Sequence, residues 1–355
     1  MATIIFYTHA SPAALGQAEF YRQDLEALRA LGHDVVVCTK YSQIPLNFDA
    51  MVVWWWTHAL GPVLLCRLLK KPCVITGTFD FSHSEDSQGR DYLHRSFWQK
   101  LLIRAAVKLC SLNLFVSQLE FDQCSKYFGL TNGRFMPHCT SEDYLQGASP
   151  VRQKALFNVA WSSKANLIRK GIPELLDAVR LLKERGCEVP LYLAGMEGDG
   201  KSFILERIRH LGIENEVHYL GSLSREEKIR MLRECEVYVQ PSRYEGFGLA
   251  VLESMGCGAC VIVRDVGAVR EVVGDAGLYL TSASPEELAN MIEKALNDRA
   301  LRERLGSIAA ERAKSLFTFD KKVEILGKYL QSLGIPSARR SQVAAEAVLQ
   351  GVRQD

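Results

Sequence analysis

The nonapeptide EGFGLAVLE, residues 245–253, holds two glutamates around a pair of glycines. It follows the strand-like run EVYVQPS (236–242), and a helix is expected to start around Phe247–Leu249. The first amides of a helix have no intrahelical acceptor and carry the positive end of its dipole. An anion, a phosphate above all, is their natural occupant. Gly246 and Gly248 permit a close backbone approach to it. The carboxylates need a different partner, because an ionised carboxylate only accepts hydrogen bonds. Sugar hydroxyls supply such donors in pairs. Glu245 precedes the helix, and Glu253 lies about two turns in, roughly 10 Å further along at the usual rise. That span suits the sugar and the ribose of a nucleotide sugar, with its diphosphate at the helix start.

The stretch SSKANLIRKG (162–171) adds Lys164 and Lys170 behind another strand-like run, both placed to face a diphosphate. A departing diphosphate develops negative charge that fixed cations or a metal must meet. The chain has no Asp-x-Asp to carry a metal, so the two lysines and the helix dipole are expected to serve instead. No cofactor and no metal are expected.

Elements must hold these residues in place. TIIFYTH (3–9), DVVVCT (34–39), AMVVWWW (50–56), PCVITGT and LNLFVS (112–117) read as strands, separated by helical stretches such as ALGQAEFYRQDLEALRALGH and SFWQKLLIRAAVKLC (96–110). The alternation restarts with ALFNVAW (155–161) and runs through PLYLAG (190–195), EVHYLG, EVYVQPS and CVIVRD. Strands alternating with helices imply parallel β-α-β units and doubly wound sheets. Two such domains are expected, over 1–150 and 151–335, facing across a cleft, with 336–355 as a possible helical tail.

Composition agrees. The 355 residues are 48% apolar and 24% charged with a net charge of +2, a soluble globular balance that argues against a general nucleic-acid binder. MATIIFYTHA lacks the basic start and long apolar run of a signal peptide. The apolar stretch 51–69 is broken by His58, Gly61-Pro62 and Arg67, so a strand, a turn and a helix fit it better than a membrane span. The ten cysteines sit in apolar runs and read as reduced, buried thiols of a cytoplasmic protein. Cys257 and Cys260 form a C-x-x-C with no second Cys/His pair near it in sequence, and are read as core.

The segment PSRYEGFGLAVLESMGCGACVIVRDVGAVREVVGDAGLYL resembles the donor-binding signature of the retaining glycosyltransferases of family 4, which have the GT-B fold. Its E-x7-E pair is Glu245/Glu253, followed by a G-x-x-x-E run from Gly267 to Glu271. RKGIPELLDAVRLL and LYLAGMEGDG resemble the family's Lys-Gly segment and its strand-Gly-x-Gly turn. The likeness covers roughly 1–330 and is stronger over 155–300. It implies that Glu253 holds ribose hydroxyls and Glu245 donor-sugar hydroxyls. It gives the diphosphate to Lys170 and the amides of Gly246, Phe247, Gly248 and Leu249. It places Lys164 where an arginine is usual, and gives the base pocket to Gly195, Met196, Glu197, Leu220 and Ser222. On the acceptor or donor-sugar side, the matching places hold Gly16 and Gln17 in the first loop, and Thr78 with Asp80 where a histidine is usual. His58 and His83 are nearby candidates, and His138 stands at a turn that falls near the hinge.

The implied reaction is transfer of a sugar, with retention and without metal, from a nucleoside-diphosphate sugar to a hydroxyl of an unidentified acceptor. UDP is the favoured nucleotide and GDP stays open. The alternatives are a nucleotide-sugar epimerase or sugar phosphorylase on the same plan, and a catalytically impaired nucleotide-sugar-binding or scaffold subunit. The helix over 96–110 mixes Arg95, Lys100, Arg104 and Lys108 with Phe97, Trp98, Leu101 and Leu102. Such a basic amphipathic helix suits peripheral contact with the inner face of a membrane, against the alternative of a core-packed helix with a wet basic face.

Overall fold

The structure is a computed structural model that describes residues 1–81, 91–147, 149 and 151–337. The candidate His83 and the tail from 338 onward lie outside these residues. The described residues form two compact units, one of 1–81, 91–138 and 319–337, the other of 139–318.

In the first unit six strands, β1 (Thr3–Tyr7), β2 (Asp34–Cys38), β3 (Ala50–Trp54), β4 (Cys73–Gly77), β5 (Leu112–Phe115) and β6 (Gly133–Phe135), form one parallel sheet in the order β2-β1-β3-β4-β5-β6. β3 and β4 are buried at every position, which explains their unbroken apolar runs. Two cores lie against the sheet. One gathers Ile5, Tyr7, Val53 and Phe115, the other Ile4, Phe6, Trp54 and Leu28.

The expected helix over the first loop is two helices, Pro12–Gln17 and Glu19–Ala30. Ala18, with extended backbone angles, ends one and starts the next. The stretch 51–69 is β3, a short turn and the helix Leu60–Leu68. Among the described residues no helix is long and apolar enough to cross a membrane.

The second unit holds β7 (Gln153–Val159), β8 (Leu191–Ala194), β9 (Val217–Gly221), β10 (Cys235–Gln240), β11 (Cys260–Arg264) and β12 (Gly277–Leu280), all parallel, in the order β12-β11-β10-β7-β8-β9. Read from β7, this is the doubly wound order of dinucleotide-binding folds, with its reversal between β7 and β10. Asn158 bridges that junction, its amide donating to the Val239 carbonyl at 2.7 Å. Cys257 and Cys260 are buried free thiols whose pKa burial pushes up to about 12.

The expected boundary at 150/151 falls instead at 138/139, and the helix Phe319–Ser332, assigned from sequence to the second domain, belongs to the first unit. The reason is packing. Leu326 and Leu330 join the core that holds Leu28 and Leu31. Lys322, 2% exposed, pairs with the equally buried Asp24 at 2.7 Å. A buried charge without its partner is strongly unfavourable, so this pair ties the helix to Glu19–Ala30.

Candidate functional site

In an open parallel sheet, ligands bind beyond the carboxyl ends of the strands, where the strand order reverses. In the second unit that point lies between the loop after β7, which carries Ser162–Lys170, and the loop after β10, which carries Pro241–Gly248. The structure brings these loops together. The Arg243 amide donates to the Arg169 carbonyl at 2.7 Å, and a guanidinium nitrogen of Arg169 donates to the Tyr244 carbonyl at 2.7 Å. Gly171 has φ +70°, and a Cβ there would lie 2.3 Å from the Pro241 carbonyl oxygen. Only glycine permits this approach.

Glu245 and Lys170 meet across the junction. Lys170 Nζ stands 2.7 Å from Glu245 Oε1, with Arg169 at 3.6 Å. The same oxygen accepts from Ser242 Oγ at 2.7 Å and Gln240 Nε2 at 2.9 Å. The orientation of the Gln240 amide is fixed from behind, because its oxygen accepts from the Tyr238 hydroxyl at 2.7 Å. No partner of Glu245 Oε2 is found among the described residues. Burial alone would raise the Glu245 pKa, but Lys170 and then Arg169 outweigh it and hold the carboxyl below its ordinary value. Burial lowers the Lys170 pKa against the pull of Glu245. Gly267 supports Glu245 from below: its φ is +55°, and a Cβ there would lie 2.0 Å from the Glu245 carbonyl oxygen.

The helix after this loop runs Leu249–Gly256, with Gly248 as N-cap at φ +95°. Phe247 is buried and packs edge-on against Phe317 at 5.9 Å. Glu253 is 3% exposed. Lys228 Nζ lies 2.9 Å from Glu253 Oε1 and 5.2 Å from the Tyr144 ring centroid. Lys228 sits on the helix Arg225–Glu234, whose start is fixed by a reciprocal cap between Ser224 and Glu227. The start of this helix thus lies between two carboxylates in the chain, each paired with a cation.

Lys164 is placed differently from Lys170. It is exposed at the start of the short helix Lys164–Arg169, its amide donates to Asp199 at 3.0 Å, and its ammonium stands 5.3 Å from the Phe203 ring centroid. The cation that joins Lys170 at Glu245 is Arg169. Gly195 and Met196 follow β8. A Cβ on Gly195 would meet the Ala160 carbonyl at 1.9 Å, and the Met196 carbonyl accepts from the Ser162 amide at 2.9 Å. Glu197 pairs with Lys201 at 2.7 Å beside Gly221, and Leu220 and Ser222, at the end of β9, are exposed. All five lie at carboxyl ends of strands on the β7 side of the junction.

In the first unit, Thr78 and Asp80 line a small pocket after β4 with Trp55, Trp56 and Arg95. Gly16 is exposed in the helix Pro12–Gln17; Gln17 ends that helix, and its side chain is outside the described part. His58 lies against His9, their rings tilted by 31°. His138 is the last residue of the first unit before the chain passes into the second, as expected of a hinge position; it is 5% exposed, with its ring parallel to that of Trp54 at 6.0 Å and 6°. Burial holds its pKa well below the usual imidazole range.

The sequence reading missed Arg169 and Lys228. Arg169 had a signal in its place beside Lys170. Lys228 had none, because its partner lies 25 positions away.

Solved structures define the class of fold. The chain superposes on a sucrose-phosphate synthase from Thermosynechococcus elongatus with a TM-score of 0.76 at 20% identity, over 94% of this chain and 99% of that one. It superposes on HepE from Anabaena, solved with UDP and glucose, with a TM-score of 0.75 at 18% identity, over 94% and 100%. The fold is GT-B. Residues 155–312 match the family described as Glycosyl transferases group 1. O-antigen chain mannosyltransferase B of Escherichia coli is 34% identical over 173 residues, 46% of this chain and 45% of that one. The MMP alpha-(1->4)-mannosyltransferase of Mycolicibacterium hassiacum is 35% identical over 161 residues, 44% of this chain and 38% of that one. The matched stretch thus spans less than half the length of these curated relatives.

Proposed function

We propose that the protein is a retaining glycosyltransferase that moves a sugar from a nucleoside-diphosphate sugar, with UDP favoured, to an acceptor hydroxyl without a metal ion. The supporting observation is the pairing of Glu245 with Lys170 and Arg169 at the sheet junction, beside a helix start whose far side carries Glu253 with Lys228. In this reading the open Glu245 oxygen holds donor-sugar hydroxyls and Glu253 holds the ribose. Lys170, Arg169 and the helix amides hold the diphosphate. The bond from the anomeric carbon to the phosphate oxygen breaks as these cations meet the charge that develops there. The acceptor hydroxyl bonds to the same face of the oxocarbenium-like carbon, and the departing phosphate takes its proton. The first unit is assigned to the acceptor. HepE, solved with UDP, favours uracil among the bases.

The test is a thermal-shift panel of UDP-, GDP-, ADP- and dTDP-sugars with EDTA present. A ligand at a hundred times its dissociation constant adds about 2.7 kcal/mol to a state that alone binds it. One nucleotide class should therefore raise the melting temperature by several degrees, and EDTA should leave that rise intact. A flat response across the panel would sink the assignment.

The proposal extends to peripheral membrane contact. On the helix Phe97–Leu109, Phe97 and Trp98 are each 70% exposed and Leu101 and Leu102 about half exposed; on Leu60–Leu68, which packs beside it, Leu68 is 80% exposed. Arg104, Lys108 and Arg67 are exposed on the same two helices. Apolar side chains among basic ones suit an anionic bilayer surface. The full chain should sediment with phosphatidylglycerol-containing vesicles, and Trp98→Ala together with Phe97→Ala should release most of it. Equal sedimentation of wild type and variant would remove this surface from consideration.

A further inference from the structure

The junction rule that finds Lys170 and Glu245 in the second sheet applies equally to the first. Its order, β2-β1-β3-β4-β5-β6, reverses between β1 and β3. The residues just beyond those two strands include His9 and His58. Their rings lie against each other, tilted by 31° with centroids 4.2 Å apart. Both are held by tyrosines. The Tyr7 hydroxyl lies 2.8 Å from His9 Nε2, and Tyr41, stacked on Tyr7 at 5.1 Å, donates from its hydroxyl to the His58 carbonyl at 3.1 Å. His9, His58 and Tyr41 are exposed.

The backbone of these loops is held in unusual shapes. Of the three described non-glycine residues with positive φ, two are Trp55 (76°) after β3 and Asp80 (51°) after β4. Such conformations cost energy and cluster at functional sites. Both residues line the small pocket that also holds Arg95. The Arg95 guanidinium has no ion pair among the described residues, and Asp80 is the acidic side chain on the pocket wall. Burial first, then His9 and Arg95, lower the pKa of His58. The Arg95 guanidinium thus bears on His58, and a bound anion would favour the imidazolium that burial and this cation disfavour. A neutral acceptor needs only hydrogen-bonding side chains, not a permanent guanidinium cation beside two imidazoles.

We propose that His9, His58 and Arg95 bind an acidic group, a phosphate or a carboxylate, carried by the acceptor. The guanidinium offers two parallel N–H donors to such a group, and an imidazole offers a third. This rests on the assignment of the first unit to the acceptor.

The test reads the imidazole ring signals of the full chain by carbon–proton NMR, assigned with His9→Gln and His58→Gln. Glucose 6-phosphate and glucuronate should move the His9 and His58 signals, and glucose at the same concentration should not. Arg95→Gln should weaken the response to glucose 6-phosphate at least about tenfold. If phosphatidylglycerol vesicles move the same signals and the soluble acids do not, the acidic group is a lipid headgroup, and the assignment stands with that source. Equal shifts with glucose and glucose 6-phosphate, no shift with any anion, or an unchanged response in Arg95→Gln would overturn it. UDP and GDP binding, followed separately by thermal shift, should be the same in all three variants. Loss of nucleotide binding in the wild type would instead strike the transferase assignment alone.

Discussion

Lys170→Met is expected to lower turnover about a hundredfold to a thousandfold, the usual effect of removing one preorganised charge from a reacting centre. The variant has a second consequence that must be separated from the first. Glu245 is 5% exposed, and removing the cation 2.7 Å from it leaves a buried carboxylate with only Arg169 at 3.6 Å. Breaking a buried pair from one side typically costs about 3 to 5 kcal/mol, and Arg169 should reduce that. Lys170→Met together with Glu245→Gln removes both charges, so it should recover most of the stability but none of the turnover. Glu245→Gln alone should also lose turnover, since an amide cannot accept at both positions, and because it leaves the buried Lys170 ammonium without its carboxylate it should melt below the double variant. Melting curves and turnover measured side by side decide the matter. Wild-type turnover in Lys170→Met and Glu245→Gln would end the case for this pair.

The same pair sets a pH response of known sign. The Glu245 pKa is lower in the folded chain than its ordinary value of 4.5. Its ionisation therefore stabilises the fold at all higher pH, and that contribution is lost as the pH falls through the lowered value. Glu245→Gln should flatten this part of the acid unfolding curve.

Local features were legible in the sequence where chemistry and periodicity are local. The alternation of apolar runs and helical spacing gives both sheets. Glu245, Glu253 and Lys170 were legible because glycines and strand ends mark the loops that carry them. What could not be read depends on contacts between distant residues. β6 is only three residues long, too short for an alternating pattern. The helix Phe319–Ser332 has an apolar face, but nothing in its own residues says which core receives it. That choice is made by Asp24, almost 300 positions earlier. His9 is an ordinary residue after a strand until the sheet order places it beside His58. His138 was legible as a hinge residue through the turn that MPHCTSEDY resembles, but the Trp54 ring that lies over it, 84 positions earlier, was not.

Glu253→Gln should separate the ribose from the rest of the donor. In the wild type, a carboxylate facing two ribose hydroxyls should bind UDP about tenfold more tightly than its 2′-deoxy form, since a buried charged acceptor left without its donor costs about 1.4 kcal/mol or more. The substituted amide has one acceptor and carries no charge, so binding of UDP should weaken while that of the deoxy form changes little, and the discrimination should fall toward unity. The effect should appear in KM rather than kcat, because the ribose is remote from the breaking bond and is held alike in ground and transition states. Folding should survive, because Lys228, 21% exposed, can turn to water when its partner loses charge. If Glu253→Gln keeps the full preference for the ribonucleotide, Glu253 holds Lys228 and the helix Arg225–Glu234 in place, and the ribose is bound by another group.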